Sequence, residues 1–177
     1  MSPRQLTVVL PILFLSGCVD IPDTYAPPMQ RRPLDTIEAL PVGYFVKMSD
    51  PHAAAYIVSD INDTVEGGQW RWTRKRPTLR FGLTSTKGLI LTADLAIAQA
   101  TLSVTGPVTI SYIVNGHLLD KVRYDIAGST QFEKAVPSAW LKEGAENLVT
   151  LEVDKAYIAE ADGAELGFIL NRIGFVQ

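Results

Sequence analysis

Val108-Thr109-Ile110-Ser111-Tyr112-Ile113-Val114-Asn115-Gly116 is the stretch whose reading decides the fold. Val108, Ile110, Tyr112 and Val114 alternate with Thr109 and Ser111, the two-residue period of a strand with one buried face. Asn115-Gly116 then predicts a hairpin turn, because both residue types tolerate the positive φ that a tight turn requires. Residues 117–124 form the expected return strand. Further along, Val149, Leu151 and Val153 alternate with Thr150, Glu152 and Asp154. Other strands are expected over 55–59, 69–73, 78–83, 89–97, 130–134 and 165–175. Gly67-Gly68, Gly88, Gly106-Pro107, Gly128 and Gly144 punctuate them. The one helical stretch expected is short, over 138–142. About eight or nine strands with closely spaced turns predict an all-β domain, a sandwich or a barrel.

The same region carries a resemblance. Ile113-Val114-Asn115-Gly116, Phe132, Val136-Pro137-Ser138-Ala139-Trp140-Leu141, Gly144 and Asn147-Leu148-Val149-Thr150-Leu151-Glu152-Val153 resemble the galactose-binding-like jelly roll. That β-sandwich occurs in discoidin-type domains, in many carbohydrate-binding modules and in the sandwich domain of family 2 glycoside hydrolases. The likeness spans roughly the C-terminal 70 residues and departs at the corner, where Ala145 and Glu146 separate Gly144 from Asn147. It implies a jelly-roll fold and reports a hairpin and a corner, not a ligand. The ending Leu166-Gly167-Phe168-Ile169-Leu170-Asn171-Arg172-Ile173-Gly174-Phe175 is similar to bacterial proteins of the same sandwich to which no activity is attached.

Working toward the N-terminus, residues 19–41 hold Pro22, Pro27, Pro28, Pro33 and Pro41 with few large apolar side chains. That composition favours an extended polyproline-II tether. The alternative, left open here, is that residues 34–40 dock on the domain as an edge strand or short helix. Before the tether, Arg4 precedes the uncharged apolar run 6–15, and Leu15-Ser16-Gly17-Cys18 closes it. The run is too short to cross a bilayer, which takes roughly 20 residues, and has the layout of a signal peptide. Leu15-Ser16-Gly17-Cys18 resembles a bacterial lipobox. The resemblance implies cleavage before Cys18 and lipid on its sulfur, an anchor worth about 0.8 kcal/mol per buried methylene. Cys18 is the only cysteine of the chain, so no internal disulfide is available in an exported protein. Val19 rather than Asp follows Cys18, which resembles an outer-membrane address facing the periplasm if the organism is Gram-negative. The expected organisation is a signal peptide (1–17), a lipidated cysteine with its tether (18–41) and a β-sandwich (42–177).

Processing leaves 160 of the 177 residues, and loss of Arg4 takes the net charge from −3 to −4. A mildly acidic domain of this size buries a core without disulfides or metals and lacks the basic surface of a nucleic-acid binder.

The richest candidate site is Gly67-Gly68-Gln69-Trp70-Arg71-Trp72-Thr73-Arg74-Lys75-Arg76. On a strand Trp70 and Trp72 share a face, about 7 Å apart along the chain. Coplanar indoles there would stack on pyranose rings, with Arg74 and Arg76 bonding hydroxyls or carboxylates. The competing expectation is that both rings face the core, where aromatics concentrate, with Arg71 and Thr73 outward. The run Arg74-Lys75-Arg76 reads either as a solvated turn or as a contact for anionic lipid or acidic polysaccharide. Asp60, Asn62, Asp63 and Glu66 supply oxygen ligands of the kind calcium prefers. Their spacing fails the EF-hand loop, however, and an Asx turn accounts for them. No metal or other cofactor is therefore expected beyond the lipid on Cys18.

Catalytic signatures are missing from the sequence. His52 and His117 have no second cysteine or H-E-x-x-H to complete a zinc site, and there is no nucleophile elbow, P-loop or dinucleotide fingerprint. The expectation is a membrane-anchored, non-catalytic binding lipoprotein of the bacterial envelope that recognises a glycan or an envelope protein. The alternative is a structural or assembly lipoprotein with no glycan ligand.

Overall fold

A computed structural model describes residues 42–161 and 163–177. The signal peptide, Cys18 and the tether lie outside the described residues. The first strands are β1 (Phe45–Lys47), β2 (Ile57–Ile61), β3 (Arg71–Gly82) and β4 (Ile90–Ile97). A short helix, α1 (Gln99–Thr105), leads into β5 (Val108–Val114), β6 (His117–Tyr124) and β7 (Gly128–Ala135). β8 (Glu146–Val153), a small hairpin of β9 (Tyr157–Ile158) and β10 (Glu165–Leu166), and β11 (Ile169–Val176) complete the domain. Among the described residues no helix is long and apolar enough to cross a membrane.

The strands form a jelly-roll β-sandwich. Hydrogen bonding runs β6-β5-β8-β3-β11-β4-β7, with β2 added to β3 and β1 to β11. Strand β3 is shared between the two layers. Arg71 and Trp72 pair with β11, whereas Thr78 to Gly82 pair with β8. Because β6 and β7 end the path and follow each other in sequence, the sandwich nearly closes on itself. Tyr112 stacks on Phe132 across that seam with ring centroids 3.5 Å apart, and Lys134 meets Asp120 at 2.9 Å.

Alternation supplies the core. Leu91, Ala93, Leu95 and Ile97 of β4 meet Ile110, Tyr112 and Val114 of β5 and Val149, Leu151 and Val153 of β8 in one buried cluster. Asn115 and Gly116 take φ of 48° and 84° as the turn requires. The Asn115 carboxamide fastens the turn to the corner after β7, donating to Trp140 O at 2.7 Å and to Asn147 Oδ1 at 2.9 Å.

Four local expectations change. The helix is α1, over Gln99–Thr105, and residues 138–140 form only a 3-10 turn. The α1 segment has no apolar period to betray it; its hydroxyls bond back along the backbone, as Thr101 does to Ala98 O and Ser103 to Gln99 O. The two strands expected over 69–73 and 78–83 are one. Pro77 is tolerated within it because the ladder is interrupted there: between the pairs Ser59–Thr78 and Ile61–Thr73, β3 bulges over Arg74 to Pro77 opposite the single residue Asp60 of β2, whose φ is 60°. The run 165–175 is broken at Gly167, where any Cβ would collide with Arg74 O. Strand β1, of only three residues, carries too few for alternation to register.

Candidate functional site

Strand β3 decides which way the candidate residues point. Arg71, Thr73, Leu79 and Phe81 are buried, and Trp72 on the opposite parity is half-buried. The expectation of tryptophans in the core with Arg71 and Thr73 outward is thereby reversed. Thr73 is held inside by its hydroxyl, which donates to Phe168 O at 2.9 Å and accepts from Phe168 N at 3.1 Å. Trp70, just before β3, and Trp72, Arg74 and Arg76 on it therefore all lie outside the core, the indoles half-buried and both arginines exposed.

The indoles are not coplanar. Their centroids lie 5.8 Å apart and their planes cross at 87°, an edge-to-face geometry favoured by the ring quadrupoles. The flat double platform is corrected to a corner of two perpendicular rings. Trp70 is set by the tight Gly67-Gly68 turn: its N–H donates to Glu66 O at 3.2 Å and its carbonyl accepts Glu66 N–H at 2.8 Å. Gly67, at φ 57°, lies against the edge of the Trp70 indole.

Arg71, which the expectation of buried tryptophans placed outward, braces this loop from within. It is 7% exposed, and its Nε donates to Met48 O at 3.0 Å while Nη1 donates to Asp63 O at 2.8 Å and Asn62 O at 3.3 Å. The positive group facing these carbonyls is thus a guanidinium. Asp60 Oδ2 accepts the backbone N–H of Arg76 at 3.2 Å, which ties β2 to the bulged part of β3. Among the described residues no group of three or more histidine, cysteine, aspartate or glutamate side chains is arranged to hold a metal. The signal that could have exposed Arg71 is parity, since it shares a face with Leu79 and Phe81.

The basic run separates on folding. Arg76 lies 3.6 Å from Glu152 in an exposed ion pair, worth at most about 1 kcal/mol. Arg74 instead lines a cleft of about 370 Å³ with Asn62, Gly163, Ala164 and Glu165. His117 lies far from this region by topology, at the Asn115-Gly116 turn, where it stacks on Trp140 at 5.0 Å between centroids.

Strand direction places the site in the domain. Val42 packs against Gly82 at the end of β3, whereas Trp70 and Trp72 sit at its start. Ten residues along β3 separate Trp72 from Gly82, at most roughly 33 Å at about 3.3 Å per residue.

No protein-family model matches the chain, and neither does any curated protein. Several solved structures share its β-sandwich trace. A family 35 carbohydrate-binding module from an environmental isolate is 12% identical with a TM-score of 0.46, over 76% of this chain and 93% of that one. The family 35 module from Clostridium thermocellum is 12% identical with a TM-score of 0.43, over 68% and 90%. A further family 35 module, in complex with a disaccharide containing glucuronic acid, is 12% identical with a TM-score of 0.43, over 76% and 94%. All three scores are below 0.5, and none assigns a ligand to this chain.

Proposed function

We propose that the domain is a non-catalytic glycan-binding module carried on a lipid-anchored envelope protein, with Trp70, Trp72, Arg74 and Arg76 as its ligand contacts. One observation carries the reading: these four side chains, on β3 and the residue before it, lie outside a core that is completed without them. In this reading one indole face takes a pyranose ring and the perpendicular indole walls it. Arg74, in the adjoining cleft, bonds hydroxyls or carboxylates of the glycan. Arg76 contributes less, because Glu152 already neutralises it.

Anchoring follows from the lipobox resemblance at Cys18. A lipid there and a tether over 18–41 would hold the domain at the membrane. That arrangement suits a lipoprotein on the periplasmic side of an outer membrane reaching toward a polymer.

A second reading, docking to an envelope protein, draws on exposed aliphatic side chains at the same end. Val104 is 70% exposed, Ile126 82% and Ile158 56%. The deciding experiment measures wild type, Trp70→Ala and Trp72→Ala on an array of neutral and uronic-acid glycans, with thermal melts in parallel. Half-buried indoles should cost about 2 kcal/mol on truncation, less than the 3–5 kcal/mol of fully buried ones, while glycan binding falls at least about tenfold. Unchanged glycan binding in both variants would refute the site and favour the protein-docking reading.

A further inference from the structure

Antiparallel register carries the outward face of Trp72 across a whole sheet. Trp72 is opposite Ile169 on β11, Ile169 is opposite Ala96 on β4, and Ala96 is opposite Ser129 on β7. Directly opposed residues of an antiparallel pair point to the same face. The row Trp72-Ile169-Ala96-Ser129 is therefore one lane that runs from the Trp72 indole past Ile169 to the small Ala96 and Ser129, all at least partly exposed. Three strand spacings of about 4.8 Å make it roughly 14 Å long, more than one sugar ring covers.

The lane opens beside a cleft of about 360 Å³ lined by Asp94, Leu95, Ser129, Thr130, Gln131 and Asn171. Asp94 is opposite Gln131 on β7 and Arg172 on β11. Arg172 Nε donates to Asp94 Oδ2 at 2.6 Å, and its guanidinium carbon lies 5.8 Å from the centroid of the Phe45 ring. Gln131 Nε2 donates to Glu133 Oε1 at 2.9 Å. The polar groups are thus held in place before any ligand arrives. Asp94 Oδ1 is buried with no hydrogen-bond partner in the protein, as is Thr92 Oγ1, two residues away on the same strand face. An unpaired buried acceptor costs about 1–3 kcal/mol. Asp94 itself lines the cleft, and the terminal torsion of aspartate is broad, so a modest turn of the carboxylate presents an oxygen to a ligand there.

We infer that the binding surface extends from Trp72 along this lane into a second subsite at Asp94 and Gln131, which takes the hydroxyls of neutral sugar units in a glycan chain. The inference rests on the glycan-binding reading and adds where the chain runs and what chemistry the far subsite accepts. Hydroxyls suit it because Asp94 and Glu133 are balanced by Arg172 and by Lys47, which is opposite Arg172 on β1, so the subsite has no net charge to draw a carboxylate or phosphate. Acidic units fit the other end, beside Arg74.

The test uses the full-length protein in detergent on a printed array of neutral and uronic-acid glycans, each as a length series from disaccharide to hexasaccharide. Wild-type affinity for the neutral series should climb from disaccharide to tetrasaccharide. Asp94→Asn should flatten that climb, weakening the hexasaccharide about tenfold, the loss of one charge-assisted hydrogen bond, and leaving the disaccharide unchanged. Gln131→Ala alters an exposed side chain without breaking the Asp94–Arg172 pair and should act in the same direction, so the test stands even if Asp94→Asn folds poorly. If both variants bind every length as wild type does while Trp72→Ala loses binding, the second subsite is wrong and the tryptophan site survives. If Trp72→Ala binds like wild type, or wild type binds no member of the array, the glycan reading itself falls and takes this inference with it.

Discussion

Replacing Arg71 with methionine tests whether the tryptophan loop is braced by a guanidinium. The substitution keeps an unbranched side chain of similar length and removes every donor. Two well-formed bonds are lost, to Met48 O at 3.0 Å and Asp63 O at 2.8 Å, and a weaker one to Asn62 O at 3.3 Å. Bonds from a charged donor contribute about 1.5–3 kcal/mol each, and an acceptor left buried costs about 1–3 kcal/mol. Against this, methionine removes the cost of burying a charge, which recovers part of the loss. The net expectation is a destabilisation of about 3 kcal/mol. For a domain of this size, each kcal/mol moves the midpoint by about 2–4 °C, so Tm should fall by roughly 6–12 °C. Urea melts give the free energy directly, and tryptophan fluorescence reports the loop, since Trp70 and Trp72 flank residue 71. Arg71→Lys should fall between, because a single ammonium cannot reproduce the fork. A loss below about 1 kcal/mol in Arg71→Met would refute the brace. So would a comparable fall in wild-type Tm on adding a chelator, which would mean that a metal holds the loop.

Asn115→Ala with Gly116→Ala should cost about 3 kcal/mol in a urea melt. Both positions need positive φ, and Asn115 Oδ1 also accepts Leu148 N–H at 2.8 Å. At high pH the domain should lose stability. Burial, reinforced by the 2.7 Å bond to Tyr124, pushes the Tyr112 phenol far above its ordinary value, and burial raises Tyr124 as well. Groups raised in the folded state contribute fully below their unfolded value near 10 and lose that contribution as pH rises above it, by up to about 1.4 kcal/mol per pH unit for each phenol. Urea melts from about pH 8 to about pH 11 check this, and Tyr112→Phe should show a shallower fall. Cys18→Ser should abolish incorporation of labelled palmitate and detergent partitioning in cells; a mutant that still partitions like wild type would remove the lipid anchor from the proposal.

Much of the fold was legible because strands advertise themselves locally. The alternation of Val108 to Val114 and of Val149 to Val153 records which side chains meet the core, and Asn115-Gly116 carries its turn in its own conformational preferences. The same rule missed α1, whose seven residues bury only Thr101, and it cut β3 in two at Pro77, whose tolerance depends on where the pairing with β2 is interrupted. At the candidate site the sequence correctly put Trp70 and Trp72 on one face, since that follows from spacing alone. Their perpendicular rings and the inward turn of Arg71 came from neighbours distant in the chain.

By itself the sequence determined the β class, the hairpin, the single cysteine behind the expected anchor and the shared parity of Trp70 and Trp72. Each of these is a property of residues within a few positions of one another. Only tertiary structure decided which parity faces water, because that depends on Phe168 receiving Thr73 and on Met48 receiving Arg71 across 95 and 23 residues. It alone brought Trp72, Ala96 and Ser129 into one lane, since strand register is set by backbone pairing between segments remote in sequence. Local spacing records the face a residue shares; only the partners that close the sandwich determine what that face meets.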